Sequence, residues 1–158
     1  MADLTDKIAL ISGGARGIGG AISEAMCAAG AKVVISDLLQ EGENKTSELT
    51  DKGYDASFIL HDVTIEAEWN KTVSYCSETY GGLDILVNNA GIVLNKTLEE
   101  TSIDEWNKIQ DINAKGAFLG TKAVIPIMRV HGGGSIVNIS SDLGLIAPDQ
   151  RLYKSKGI

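Results

Sequence analysis

Short apolar runs alternate along the chain with longer stretches in which apolar residues recur at helical spacing. A short continuous apolar run is typical of a buried strand, and recurrence every three or four residues is typical of an amphipathic helix. The apolar runs predict strands at 8–11, 32–37, 58–60, 83–87 and 135–139. The helical patterns cover about 22–29, 39–52, 65–80 and 102–130. This alternation predicts parallel strands with helices on both faces of the sheet.

Local residues indicate where the helices begin and end. Asp62 or Thr64 is expected to cap the third helix, because short polar side chains accept hydrogen bonds from the first free backbone N–H groups. Ser102 followed by Glu105 is the capping-box pattern at the start of the long fourth helix. Pro126 lies inside that helix and has no N–H to donate, so we expect a bend or an early end there.

The alternation also restricts the topology of the sheet. Right-handed crossovers between parallel strands lead to a doubly wound α/β sheet of the Rossmann type, with the expected order 3-2-1-4-5. No linker or repeat interrupts residues 1–158, so a single domain is expected. Ligands bind such sheets beyond the carboxyl ends of the strands. The residues expected at that edge are the glycine-rich stretch 12–19, Asp37, Asp62, Asn89 and Ser141.

The glycine-rich stretch carries glycines at positions 13, 17 and 19, between the first strand and the first helix. A helix N-terminus that follows a buried strand binds anions, because its free N–H groups and its dipole point at the same place. Glycine allows the tight turn and a close approach of phosphate to the backbone. This spacing also suits an ordinary turn, and the later strand ends favour a dinucleotide-binding domain over that interpretation.

Asp37 ends the second strand, eighteen residues after Gly19. In dinucleotide-binding folds an acid near this distance accepts hydrogen bonds from the adenosine ribose hydroxyls, and its charge repels a 2′-phosphate. Arg16 favours NADP instead, since a cation in the loop could bind the 2′-phosphate. We give Asp37 more weight and predict NAD rather than NADP, with a strand-end turn residue as the alternative interpretation of Asp37.

Composition and charge exclude several classes of function. The chain has 158 residues, of which 44% are hydrophobic and 22% charged, as in an ordinary globular domain. The net charge of −7 argues against nucleic acid as a partner. No apolar run approaches a membrane span, and the acidic first residues do not resemble a signal peptide, so a cytoplasmic location is expected. Cys27, Cys76, His61 and His131 are far apart and show no metal-ligand spacing, so no metal site is expected.

Taken together, the motifs resemble the classical short-chain dehydrogenases/reductases, over essentially the whole chain and in the same order. The residues that carry the resemblance are 12–19 (SGGARGIG), Asp62-Val63, Asn88-Asn89-Ala90-Gly91, Asn113 and the cluster of Ser141, Tyr153 and Lys156. The Asn-Asn-Ala-Gly sequence after an apolar strand is more specific than the glycine loop.

The resemblance implies a set of cofactor contacts. Gly13, Gly17 and Gly19 would shape the turn at the pyrophosphate, with Arg16 and Ile18 beside it. Asp37 would hold the adenosine ribose, and Asp62 and Val63 would line the adenine pocket. Further along the cofactor, the implied contacts are Asn89, Ala90, Gly91, Tyr153 and Lys156, and Asn89 would also brace the sheet.

The resemblance also implies the catalytic residues. Ser141, rather than Ser140, would polarise the substrate oxygen. Tyr153 would be the general acid/base, helped by Lys156, because a free tyrosine has a pKa of about 10. Asn113 would hold a water in a proton relay. Tyr153 and Lys156 are three positions apart, where the family has four, so whether Lys156 reaches the nicotinamide ribose is left open.

The function that the resemblance implies is NAD-dependent hydride transfer between a secondary alcohol and its ketone. Candidate substrates are cyclic alcohols, hydroxysteroids, diols and 3-oxoacyl thioesters, and a homotetramer is implied. The chain stops before the family's C-terminal strands and substrate-covering segment, so we expect an N-terminal part, a truncated product or a sequence with residues missing near 153–157. The alternative function is a catalytically inactive dinucleotide-binding module.

Overall fold

The computed structural model of the protein describes residues 3–142 and Leu145. Within these residues five parallel strands form one sheet covered by helices. The strands are β1 (Ile8–Ser12), β2 (Lys32–Asp37), β3 (Ala56–Leu60), β4 (Ile85–Asn88) and β5 (Ser135–Asn138). The helices are α1 (Gly17–Ala28), α2 (Glu41–Asp51), α3 (Glu66–Tyr80), α4 (Ile103–Ile109) and α5 (Gly116–Val130), with a π-helical segment, Gln110–Lys115, between α4 and α5.

The strand order in the described part is β3-β2-β1-β4-β5, which confirms the predicted doubly wound sheet. All neighbouring strands run parallel. Ser12 of β1 lies opposite Ser36 of β2, and Asn88 of β4 lies opposite Asn138 of β5. The carboxyl ends of the strands therefore meet at one edge, where the polar residues were expected.

The core lies on both faces of the sheet, because successive strand residues point to opposite sides. On one face Leu10 packs with Trp69 of α3 and Val124 of α5. On the other face Ile11 packs in a cluster that includes Leu49 of α2. Full burial of each such large apolar side chain contributes about 1.5–3 kcal/mol. The two faces hold the central strands, and with them the strand ends, in fixed positions.

The start of α3 differs from the prediction. Neither Asp62 nor Thr64 caps this helix, which begins after an extended Ile65 that makes no side-chain cap. Asp62 Oδ1 instead accepts hydrogen bonds from the backbone N and the hydroxyl of Thr64, at 2.8 and 2.7 Å. The carboxylate therefore closes a local turn, which competes with capping for the same oxygen.

The long fourth helix is present, but it is not a continuous α-helix. The capping box of Ser102 and Glu105 is confirmed at the start of α4. The π-helical segment then follows, and such segments are frequent at functional sites. Pro126 does not end α5, which continues to Val130. The missing N–H removes one hydrogen bond, while the buried Val124 and Met128 keep this part of the helix docked on the sheet.

Among the described residues, no helix combines the length and the apolar character that crossing a bilayer requires.

Candidate functional site

Two adjoining clefts open at the carboxyl edge of the sheet, with volumes of about 810 and 540 Å³. They share lining residues in the glycine loop and in the segment after β4, so they form one continuous groove. The predicted residues that line the larger cleft are Gly13, Arg16, Gly17, Ile18, Gly19, Asp37, Asp62, Val63, Asn89, Ala90 and Gly91. Asn113 and Ser141 line the smaller cleft. Tyr153 and Lys156 lie outside the described residues.

The glycine loop is packed tightly at two positions and open at the third. A Cβ at Gly19 would lie 2.0 Å from the carbonyl oxygen of Gly13, and one at Gly13 would lie 2.9 Å from Ala90 Cα. Gly17 has a positive φ of 56°, and a Cβ there would meet no atom within 4 Å. Gly13 and Gly19 therefore allow the tight packing of the loop, whereas Gly17 leaves free space in the larger cleft.

The N-terminus of α1 faces this free space. Arg16, the residue before the helix, has an extended backbone and makes no side-chain capping bond, and the first turn contains no acidic residue. The first N–H groups of a helix have no partner within the helix, and the dipole makes this end positive. The loop can therefore hold an anionic group with backbone N–H donors.

Asp37 is fixed by the backbone around it. Its Oδ2 accepts a hydrogen bond from the N–H of Ala15 at 3.1 Å, and its Oδ1 accepts one from Leu39 at 3.0 Å. The carboxylate therefore ties the end of β2 to the glycine loop. Each oxygen keeps a further lone pair that can accept a hydrogen bond from a hydroxyl group.

Ser12 has a role that the sequence analysis missed. Its buried hydroxyl accepts hydrogen bonds from the N–H groups of Asn89 and Ala90, at 3.1 and 3.2 Å. In return, the Asn89 side chain donates to the carbonyls of Ser12 and Gly13, both at 3.0 Å. These hydrogen bonds hold the glycine loop against the turn after β4. The sequence signal was the serine that opens the glycine stretch, directly after the apolar run.

Asn113 lies in the π-helical segment. Its side-chain amide hydrogen-bonds to the backbone of Ile92 through both its oxygen and its nitrogen. Its Oδ1 accepts from the Ile92 N–H and its Nδ2 donates to the Ile92 carbonyl, both at 2.9 Å. The side chain thereby anchors the segment after β4. One lone pair on Oδ1 is left for a further donor, such as the water that the sequence analysis expected there.

Ser141 follows the end of β5 and lines the smaller cleft. Its side chain is exposed, and its hydroxyl lies 3.3 Å from Asp142 Oδ1. The fold thus brings Ser141 and Asn113, which are far apart in the sequence, to one cleft. Both residues were predicted as catalytic.

His61 is a second residue that the sequence analysis gave no role. It follows β3, lines the larger cleft and is only 1% exposed. Its Nδ1 lies 3.1 Å from Ser36 Oγ, and its ring meets Trp69 edge to face, with the centroids 4.4 Å apart. Burial lowers the pKa of this imidazole from 6.5 to about 4, so the ring is neutral at physiological pH.

This burial predicts how stability depends on pH. The folded state disfavours the imidazolium, so the stabilising effect is complete above the unfolded pKa of 6.5 and is lost as the pH falls toward 4. The free energy of unfolding should fall by about 2 kcal/mol between about pH 7.5 and about pH 5. Chemical denaturation across this range measures the effect.

His61→Phe should flatten this decline, whereas His131→Gln, which changes the exposed histidine, should keep it. Glu24 contributes mainly below this window, because the hydrogen-bonded Lys52 and Lys45 lower its pKa to about 2 and its contribution is lost only as the pH falls below about 4.5. A decline that persists in His61→Phe would contradict the assignment.

Within the described residues, no three histidine, cysteine, aspartate or glutamate side chains come together as metal ligands.

Comparisons with known proteins agree with this geometry. A family profile described as short chain dehydrogenase matches residues 7–154. The 3-alpha-(or 20-beta)-hydroxysteroid dehydrogenase of Mycobacterium tuberculosis is 47% identical over 143 residues, which are 90% of this chain and 54% of that protein. The cyclopentanol dehydrogenase of Comamonas testosteroni is 41% identical over 160 residues, covering 99% of this chain and 64% of that protein.

Among solved structures, a short-chain type dehydrogenase/reductase from Mycobacterium marinum has a TM-score of 0.89 and 33% identity, over 92% of this chain and 60% of that one. The chain thus spans about half to two thirds of the length of these proteins.

Proposed function

This chain belongs to the short-chain dehydrogenase family, and we propose that it supplies the cofactor site of an enzyme that transfers a hydride between a secondary alcohol, or its ketone, and NAD. The observation that carries the proposal is the open face of Gly17 beside the uncapped N-terminus of α1. That arrangement suits a phosphate group, since backbone N–H donors and the helix dipole act together.

The lining of the larger cleft fits the rest of a dinucleotide. The loop at Gly17–Gly19 would hold the pyrophosphate, with Arg16 beside it. Asp37 would accept hydrogen bonds from the adenosine ribose through its remaining lone pairs. At the adenine end, Asp62 and Val63 would line the pocket. Toward the smaller cleft, Asn89, Ala90 and Gly91 would follow the cofactor to the reacting end.

The chemistry at the smaller cleft would need one proton to move as the hydride moves. When bound, the nicotinamide supplies the hydride chemistry. Tyr153 would take the proton from the alcohol oxygen, or return it to the ketone, and the ammonium of Lys156 would favour the phenolate. Ser141 would donate a hydrogen bond to the substrate oxygen and so stabilise the charge that develops there. A water held at Asn113 would pass the proton onward.

We propose a cyclic secondary alcohol as the substrate class. None of the described residues that line the smaller cleft is charged, and several are apolar: Ile92, Val93, Ile112 and Ile139. An uncharged, partly apolar lining favours a neutral ring over an anionic substrate. The names of the two relatives, a hydroxysteroid dehydrogenase and a cyclopentanol dehydrogenase, also refer to ring alcohols.

Replacing Asp37 tests the cofactor part of the proposal. Asp37→Ala removes the acceptor for the ribose hydroxyls and the charge that repels a 2′-phosphate. We expect the ratio of NADP affinity to NAD affinity to rise roughly 10- to 150-fold, since hydrogen bonds to charged groups are worth about 1.5–3 kcal/mol. Fluorescence titration with NADH and NADPH measures both affinities.

The ratio is informative because Asp37 also binds the backbone of Ala15 and Leu39. Loss of these two bonds loosens the loop and lowers the affinity for both cofactors by a similar factor. Asp37→Asn is the matched control, since it keeps the size of the side chain and one acceptor but removes the charge, and it should produce part of the shift. An unchanged ratio in both variants would show that Asp37 does not select the cofactor.

A further inference from the structure

One buried polar ring lies between the two strand ends that form the adenosine side of the larger cleft. His61 is nearly fully buried, directly precedes Asp62, and lines this cleft together with Asp37. None of the cofactor contacts proposed above uses it. Its Nε2 is enclosed and meets no hydrogen-bonding group among the described residues. Burying a nitrogen without a hydrogen-bond partner costs free energy. If the side chain at position 61 served only to fill space, an apolar ring would be more stable there.

The Nδ1 side of the ring is bound to β2. Nδ1 lies 3.1 Å from Ser36 Oγ, and Ser36 immediately precedes Asp37. The Ser36 hydroxyl donates to the carbonyl of Ile11 at 3.4 Å, which leaves its oxygen to accept from Nδ1–H. On this ground we assign the proton of the neutral ring to Nδ1. The backbone N–H of His61 also donates to the carbonyl of Asp37 at 2.9 Å.

The opposite side of the ring contacts the chain that follows β3. Trp69 meets the imidazole at an interplanar angle of 87°. The indole N–H of Trp69 donates to the carbonyl of Val63 at 2.9 Å. The ring therefore lies between the strand that presents Asp37 and the segment that presents Asp62 and Val63.

We propose that His61 is a positioning residue for the adenosine half of the cofactor. Its Nδ1–H bond to Ser36 holds the end of β2, and with it Asp37, at a fixed distance from the adenine-side residues Asp62 and Val63. The proposal rests on the proposed function, since it assigns a role within that same site. Loss of the Nδ1 bond lets the two strand ends move relative to each other. This movement weakens the binding of ligands that contact both strand ends.

The test is the affinity for AMP and NAD in variants that keep or remove a donor at the Nδ1 position. An asparagine amide nitrogen lies near the position of Nδ1, whereas a glutamine amide nitrogen lies near that of Nε2. His61→Phe and His61→Gln should raise both dissociation constants about tenfold, the effect of one buried hydrogen bond. His61→Asn should restore most of the affinity. Isothermal titration calorimetry with the full chain provides the values.

Ser36→Ala gives an independent measurement, since it removes the acceptor and leaves the ring in place. Ser36→Ala should weaken the binding of AMP by a similar factor. Combining it with His61→Phe should cause little further loss of affinity. This variant and His61→Asn also provide the test if His61→Phe does not fold.

The outcomes separate this inference from the proposed function. If the wild-type chain binds neither AMP nor NAD, the proposed function fails, and the inference fails with it. If the wild-type chain binds both ligands but the phenylalanine variant binds them equally well, only the inference is overturned. Equal affinities of the asparagine and glutamine variants would likewise overturn it, because the ring would then act through packing alone.

Discussion

Gly17→Ala should weaken the binding of NADH by roughly 30- to 150-fold. A methyl group at this position meets no protein atom within 4 Å and projects into the free space of the larger cleft. It would hold a pyrophosphate away from the N-terminus of α1 and lengthen its hydrogen bonds to the backbone. Loss of such charged hydrogen bonds costs about 2–3 kcal/mol, which corresponds to this change in affinity. Fluorescence titration with NADH measures it.

Gly53→Ala is the matched control for the strain that the substitution introduces. Gly53 also has a positive φ, of 84°, and a Cβ there would also meet nothing within 4 Å. It follows α2 and does not line either cleft. Both variants should lose about 1 kcal/mol of unfolding free energy through the left-handed backbone, but only Gly17→Ala should lose affinity. Equal NADH affinities in the two variants would mean that no phosphate approaches Gly17.

Tyr153→Phe should reduce turnover by about 10²- to 10⁴-fold, the usual contribution of a general acid/base. The substitution removes only the phenol oxygen through which the proton is proposed to move, so NADH binding should stay largely intact. The rate of NADH formation from cyclopentanol and from a hydroxysteroid, followed by absorbance, gives the turnover. Binding measured by titration on the same preparation separates the two effects.

Tyr80→Phe controls for the loss of a tyrosine hydroxyl elsewhere. The Tyr80 hydroxyl donates to Asp55 at 3.0 Å, near the end of the sheet opposite to the clefts, so this variant should keep normal turnover. If Tyr153→Phe also keeps normal turnover, Tyr153 is not the acid/base. Loss of both turnover and NADH binding would mean that the phenol oxygen serves mainly to hold the cofactor.

The fold was predictable because its signals are local and consistent. Apolar runs and helical patterns alternate, and crossover handedness then restricts the topology to a doubly wound sheet, of which the order 3-2-1-4-5 is the Rossmann type. The convergence of Asp37, Asn89 and Ser141 on one edge followed from the order of the sheet alone. Family motifs identified part of the lining of the two clefts, including Gly13, Asn89 and Ser141, because these residues lie in or beside short motifs that can be read directly from the sequence.

Features that depend on distant contacts were missed. Ser12 binds residues 77 and 78 positions away, and His61 binds Ser36, 25 positions away, so neither role has a local signal. The π-helical segment is invisible to a pattern of helical spacing, which remains intact across it. Asp62 or Thr64 was expected as a helix cap, but the two residues bond to each other, and only the three-dimensional turn decides between these arrangements.

The most direct test of the account is hydrogen–deuterium exchange of the protein with and without NADH. Slower exchange is expected in two separate peptides, one that contains Gly13–Gly19 and one that contains Asn89–Ile92, because the bound cofactor would cover the N–H groups of both. Peptides from the middle of α2 should be unchanged. Saturable NADH binding with no protection at these two segments, or no binding at all, would contradict the central claim that this edge of the sheet is the cofactor site.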